Sequence, residues 1–547
     1  MKKIYQSCVF FCALFAHFHL QAQSTDDYQT NGNVNFAAST NWQRYNGTNW
    51  VAATAAPSNT NGVITIRNGH TATVGATKTL DQVVVQSGGI LTHTGGTFTI
   101  ANGTGDDIVV ENGGVFILAN DPVPSFNTSA TMRIQTNGIL RANNNGSGSA
   151  DSFANDDEPA YTGKTTFEHG AIFEWNTNSA FSAAGFTYFP NATTSIIPIF
   201  RISQNMPLLG GTNPTIINGL LEANGNTPWQ GTGTKTFRNG ITGTGNVTQN
   251  AGTTGQFQIT GTNAKLGGTG SINLNTNGLL ISSTAEVSMT SNKSIGVQGG
   301  TPTCTVAGVL DCAAFNLTNA SGTPNFTLNN GATLKMGSPN GISTSGATGN
   351  VQLGGTRTYN GGANYEYKGT APQITGNGLP ATLMAMLTIN NSNGVTQTNA
   401  THTISGGQMI LTAGTYNLNG KSFIWQNSNT PITRTNGTLT TDNSSNLTFN
   451  GTGNSFTLPN DLFANNPTSL NNFTVSRSND LALGNQNLAV EGTLTVSAAG
   501  FLDLNGNNVD LGNIGTLSEN RGSSQVVIDK TATHYDANKG GYIRAAN

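Results

Sequence analysis

Glu111-Asn-Gly-Gly-Val-Phe-Ile-Leu118 is followed 24 residues later by Gln135-Thr-Asn-Gly-Ile-Leu140. Each reads as a tight Asn/Gly turn feeding a short run of apolar residues, and the same element recurs along the chain. Further copies are Asn277-Gly-Leu-Leu280, Ala307-Gly-Val-Leu310, Asn330-Gly-Ala-Thr-Leu-Lys-Met336, Glu491-Gly-Thr-Leu-Thr-Val496 and Ala499-Gly-Phe-Leu-Asp-Leu504. The glycines Gly89, Gly114 and Gly138 are spaced by 25 and 24 residues, and Gly278, Gly308 and Gly331 by 30 and 23. Periods in this range mark solenoids, in which each unit is too small to bury a core alone and stacks on its neighbours. Two or three strands of four to six residues fit into each period. The spacing therefore predicts an all-β protein, a right-handed parallel β-helix. Its inward Val, Ile, Leu and Phe fill the bore, its Gly and Asn turn the corners, and its outward Thr, Asn and Ser meet water. At ~4.8 Å per coil, coils of about 25 residues make a rod on the order of 100 Å long. Tandem β-sandwich domains are the alternative, but no recurrence near 100 residues and no Pro-rich linkers support them.

Composition agrees. Of 547 residues, 69 are Gly and only 9% are charged, against roughly 25% in an average soluble chain. Solvated helices need charged faces and i to i+4 pairs, so a helical bundle is excluded. The net charge of −3 leaves no basic patch to gather phosphates, which argues against nucleic acid as a partner.

The first 22 residues read as a secretory signal peptide. Lys2 and Lys3 form the positive region, Val9 to Phe18 the apolar region, and Ala22 a small residue at the cleavage point. The apolar run is shorter than the roughly 20 residues needed to span a bilayer, and no later segment is a transmembrane candidate. Cleavage removes two cations and no acid, shifting the net charge to −5. It also removes Cys8 and Cys12, leaving Cys304 and Cys312 as either one disulfide or two buried thiols. Residues 23–62 read as an N-terminal cap, and residues 63–547 as the repeat region, with an irregular segment at about 142–210. Trp42, Tyr45 and Trp50 have two readings: aromatics closing the end of the core, or a ring platform for glycan.

Catalytic chemistry finds no constellation. His70, His93, His169, His402 and His534 are isolated, and Glu168 and His169 are neighbours that a strand points to opposite sides. Asp151, Asp156, Asp157 and Glu158 are the best candidates for a Ca2+ site, the sole cofactor candidate. No nucleophile elbow, P-loop or dinucleotide fingerprint is present. No catalytic residue is assigned, and the expectation is a non-enzymatic protein, with a carbohydrate-active lyase or hydrolase as the runner-up.

The stretches Trp50-Val-Ala-Ala-Thr-Ala-Ala-Pro57 and Gly62-Val-Ile-Thr-Ile-Arg-Asn-Gly-His-Thr-Ala-Thr-Val74 resemble the opening of large secreted repeat proteins of Bacteroidetes. So do Tyr365-Glu-Tyr-Lys-Gly-Thr-Ala-Pro-Gln-Ile-Thr-Gly376, Leu387-Thr-Ile-Asn-Asn391, Leu502-Asp-Leu-Asn-Gly-Asn-Asn-Val-Asp-Leu-Gly512 and Gly515-Thr-Leu-Ser-Glu-Asn520. The resemblance implies an adhesin-like protein, secreted or held on the outer cell surface, exported by the type IX machinery and touching glycans or solid surfaces. Such proteins usually end in a C-terminal sorting domain. Here the last residues, Gly541-Tyr-Ile-Arg-Ala-Ala-Asn547, read as an unfinished strand. The expectation is that the repeat region continues beyond them, or that export takes another route.

Overall fold

The computed structural model describes residues 23–119, 123–143, 152–155, 160–179, 187–206, 216–231, 233–250, 255–426, 428–497, 500–512, 515–519, 526–527 and 543–544. The chain winds into stacked parallel coils, a β-helix of about 18 turns. Each regular coil carries three short strands, which define three faces. In one coil these are Phe257–Ile259 on face 1, Ala264–Leu266 on face 2 and Ile272–Leu274 on face 3. Each pairs in parallel with its counterpart in the next coil, Leu279–Ile281, Glu286–Met289 and Lys293–Val297. Among the described strands, antiparallel pairing occurs at the N-terminus, where Tyr28–Thr30 pairs with Trp42–Tyr45, and that strand with Trp50–Ala52. The alternative of tandem sandwiches is thereby excluded.

Face 2 is the spine. Its ladder runs through 17 strands from Val34–Asn35 to Ile432–Arg434. The strands alternate as a half-buried strand must: in Val115–Leu118, Phe116 and Leu118 point inward. In-register pairing then stacks one inward side chain per coil into a column. Leu91, Phe116, Leu140, Phe173, Phe200 and Leu221 are successive partners, and all are fully buried. Each such side chain contributes about 1.5–3 kcal/mol through removal of apolar surface from water.

The ladder also passes straight through the segment expected to interrupt the period. Ile139 pairs with Ile172, 33 residues on, and Ile172 with Ile199. Between these strands aromatic rings fill the bore. Phe173 stacks on Phe200 at 5.5 Å, and Phe200 on Tyr188 at 4.8 Å.

The corners explain the glycine period. Gly89, Gly114 and Gly138 each precede a face 2 strand and lie against the carbonyls of the coil before. A Cβ there would stand 2.6 Å from Ile66 O, 2.5 Å from Val85 O and 2.7 Å from Val110 O respectively. The residues just ahead, Gly88, Gly113 and Asn137, take the left-handed conformation, and their amides and carbonyls bond from coil to coil. The 30-residue step from Gly278 to Gly308 has a different meaning. Gly278 precedes a face 1 strand and Gly308 a face 2 strand, so that step joins two different corners. The coil itself is 23 residues there, as Val287 pairs with Leu310.

Candidate functional site

Two surfaces of face 1 stand out, and the local sequence builds each. Over the C-terminal coils, strands Thr401–Ser405, Ser422–Gln426, Asn446–Gly451, Asn472–Arg477, Thr493–Val496 and Thr516–Glu519 pair in register. One outward row reads Thr401, Ser422, Asn446, Asn472, Thr493, Thr516, and the next Thr403, Ile424, Thr448, Thr474, Thr495, Ser518. Neither row holds a charge. Neighbouring coils exchange side-chain hydrogen bonds along the first row: Asn472 Nδ2 donates to Asn446 Oδ1 at 2.7 Å, and the Thr493 and Thr516 hydroxyls lie 3.0 Å apart. Face 2, by contrast, carries charges of alternating sign in register, Arg141, Glu174, Arg201 and Glu222. Arg141 Nε reaches Glu174 at 2.7 Å, and Arg201 binds Glu222 with two bonds of 3.0 and 3.1 Å.

The second surface is a groove of about 750 Å³ over the first coils of face 1. Its floor is the outward row Gln29, Thr65, Val84, Val109, Arg133, one residue per coil. A second row, Arg67, Gln86, Glu111 and Gln135, follows the last inward residue of each strand. Backbone bonds carry it from coil to coil, Gln86 N to Ile66 O, Glu111 N to Val85 O and Gln135 N to Val110 O. Gln82 and the turn Thr104, Gly105, Asp106 form the opposite wall, and Trp50 closes one end from the N-terminal hairpin.

Two of the groove acids, Asp27 and Asp106, are held by partners on this chain. Asp27 accepts the amides of Ser24 at 2.7 Å and Val63 at 2.9 Å. Asp106 pairs with Arg133 at 3.0 Å and accepts the Thr131 hydroxyl at 3.1 Å. Glu168 lies 3.6 Å from the far side of the same guanidinium. Arg67 has no carboxylate partner among the described residues.

Beneath the groove wall lies a carboxyl pair. Asp107 is fully buried and accepts the amides of Gly103 at 2.6 Å and Thr131 at 2.7 Å. Burial, and then the hydrogen bond and charge of Asp107, push the Asp81 carboxyl up to about 6. A carboxyl that holds its proton more tightly folded than unfolded contributes fully below its ordinary pKa, and that contribution is lost as pH rises through about 6. The Asp81→Asn variant keeps a donor to Asp107 without a titrating proton. Its melting temperature is expected to exceed that of the parent at pH 7.5 and to fall less between pH 5 and 7. Parallel melting curves across that range contradict the pairing.

The aromatic candidates part company. Trp42 is 1% exposed, with its ring 5.0 Å from Phe36 and 6.4 Å from Tyr28. It faces the core and closes its end, so no sugar can stack on it from outside. Tyr45 and Trp50 lie on the outer hairpin with rings 5.4 Å apart, and only Trp50 reaches the groove. Cys304 and Cys312 are buried free thiols, and burial pushes Cys304 up to about 12. His402 is fully buried and pushed by burial down to about 4. His93 is buried with its Nε2 3.1 Å from Gly96 O, and His70 binds Thr30 across the N-terminal coils. Glu168 accepts the amide of Thr136 while His169 accepts that of Ile197, so the two act apart. Asp151, Asp156, Asp157, Glu158, His534 and the signal segment lie outside the described residues. Among the described residues no three His, Cys, Asp or Glu converge as metal ligands, and no helix is long and apolar enough to cross a membrane.

Comparison with models of known protein families finds no match for the chain, and no curated protein matches it.

Proposed function

We propose that the chain is an extracellular, adhesin-like rod, secreted or held on the outer cell surface, that meets glycans or solid surfaces through face 1. The observation that carries this reading is the pair of uncharged, in-register rows between residues 401 and 518, made of Thr, Ser and Asn apart from Ile424. A rigid solenoid repeats the same shallow contact once per coil, and many weak contacts held at fixed spacing add up to strong retention without a deep pocket. Export is supported by Lys2, Lys3 and the apolar run Val9 to Phe18. The resemblance to secreted Bacteroidetes repeat proteins supports the type IX route.

The test is retention of the mature chain on cellulose and chitin beads. The parent is expected to be retained. A Thr448→Lys, Thr474→Lys, Thr495→Lys variant, with charges placed in the middle of the row, is expected to elute early at unchanged melting temperature. Equal retention of the two proteins, or none for the parent, contradicts the reading.

A second reading, a carbohydrate-active enzyme, is favoured by one specific observation: Asp27, Asp106 and Glu111 line a single groove with Arg67 and Arg133. Lyase and hydrolase chemistry both need a carboxyl or a basic group free to move a proton at the substrate. Asp27 and Asp106 spend their oxygens on backbone amides and on Arg133 instead. Release of reducing ends or unsaturated uronates from a polysaccharide panel would establish the enzyme; its absence alongside bead retention supports the rod.

A further inference from the structure

The N-terminal groove differs in kind from the flat rows: it is concave, it mixes both charges with amides, and an indole stands at one end. We infer that it is a discrete binding site for a neutral polysaccharide chain lying along the coil axis, an inference that deepens the glycan-contact reading above and rests on it.

Three features carry the assignment. First, the groove repeats. Gln86, Glu111 and Gln135 are placed once per coil by the backbone ladder, so like positions recur every ~4.8 Å along the axis. A ligand that uses such a track is a polymer presenting one set of polar groups per unit; a compact metabolite would touch one or two coils and leave the rest of the groove open to water. The volume of about 750 Å³ suits several sugar rings within the usual range of ligand sites.

Second, the chemistry suits hydroxyls. Each glutamine amide offers both donors and an acceptor, and a carboxylate or guanidinium bonds two adjacent hydroxyls at once. Trp50, half-buried on the hairpin against Tyr45, supplies a ring for the apolar side of a sugar.

Third, the charge rejects the alternatives. Arg133 is already flanked by Asp106 at 3.0 Å and Glu168 at 3.6 Å. Arg67 shares the groove lining with Asp27, Asp106 and Glu111. The acids outnumber the cations, so a uronate polymer or a nucleic acid would enter against like charge. An apolar peptide or lipid would bury the glutamines and arginines without partners, at the cost of their lost hydration.

The experiment is affinity electrophoresis of the mature chain in gels containing hydroxyethylcellulose, galactomannan or polygalacturonate, with melting temperatures read in parallel. At least one neutral polymer is expected to retard the parent, and polygalacturonate is not. The Gln86→Ala, Gln135→Ala double variant is expected to weaken retardation about tenfold, from two lost hydrogen bonds, at unchanged melting temperature. Trp50→Ala is expected to weaken it as well with little change in stability, since its ring lies outside the core. Preference for polygalacturonate, absence of retardation in both neutral polymers, or variants that migrate as the parent overturns the inference. The triple lysine variant of the C-terminal rows separates the two sites. It should elute earlier from the beads yet keep its retardation in the gel, so the groove can fail while the rod reading stands, and loss of both readouts in the parent defeats both.

Discussion

A Gly114→Ala chain is expected to lose about 3 kcal/mol of local stability, a large effect for one methyl group. The added Cβ would stand 2.5 Å from Val85 O and 3.0 Å from Gln86 O. Neither carbonyl can move freely: Val85 O accepts the Glu111 amide, and Val85 is a partner in the face 1 ladder. The cost does not come from a forbidden φ but from the approach of one coil to the next, which only a residue without a side chain allows. Because each coil touches mainly its neighbours, the damage should be local. Hydrogen exchange should accelerate for amides between about residues 83 and 142, while the coils from 387 to 496 keep their protection. Gly299→Ala is the control. Nothing lies within 4 Å of a Cβ at that position, and a change within about 0.5 kcal/mol is expected. Equal effects of the two substitutions would contradict the packed corner.

The second large effect belongs to Trp425. Its indole is fully buried and stacks on Phe449 of the next coil at 4.7 Å and 10° between planes, with Phe423 4.5 Å away. Phe449 and Phe473 continue the aromatic file. Trp425→Ala should cost about 3–5 kcal/mol, the lost transfer energy plus a cavity that the rigid ladders on either side cannot close. Trp425→Phe keeps a ring in the stack and removes an indole N–H that finds no acceptor among the described residues, so it should cost far less. Chemical denaturation followed by hydrogen exchange across residues 401–477 reads both. An alanine variant as stable as the phenylalanine variant would mean that the ring is not a core element.

Much of this architecture was legible because the repeat is local. Gly89, Gly114 and Gly138 mark one corner in three successive coils, and that corner turns on a contact no other residue permits. The coil length was less legible, since a solenoid fixes only its strands. The step from Ile139 to Ile172 is 33 residues, yet the two still pair in the face 2 ladder, so the strand positions hold while the spacing between them changes.

The groove is illegible along the chain for a physical reason. Arg67, Gln86, Glu111 and Gln135 each follow the last inward residue of a face 1 strand and precede the turn, as in Ile66-Arg-Asn-Gly69 and Val110-Glu-Asn-Gly113. Glu111 and Gln135 open the very motifs that reveal the repeat. Read along the chain they are isolated polar residues; read across coils they form one row. The depth of the groove comes from the Trp50 hairpin and the turn at residues 104–106, which no periodicity encodes. Trp42 and Trp50 show the same limit, since eight residues apart on one hairpin they point to opposite sides of it.

One continuous stack of coils underlies every site described above, and solution X-ray scattering from the monodisperse mature chain tests that most directly. About 18 turns at ~4.8 Å per turn make a stiff rod about 85 Å long with a constant cross-section. A scattering profile with the linear cross-section region of such a rod is the predicted result. A markedly longer maximum dimension with the signature of beads on flexible linkers would contradict it.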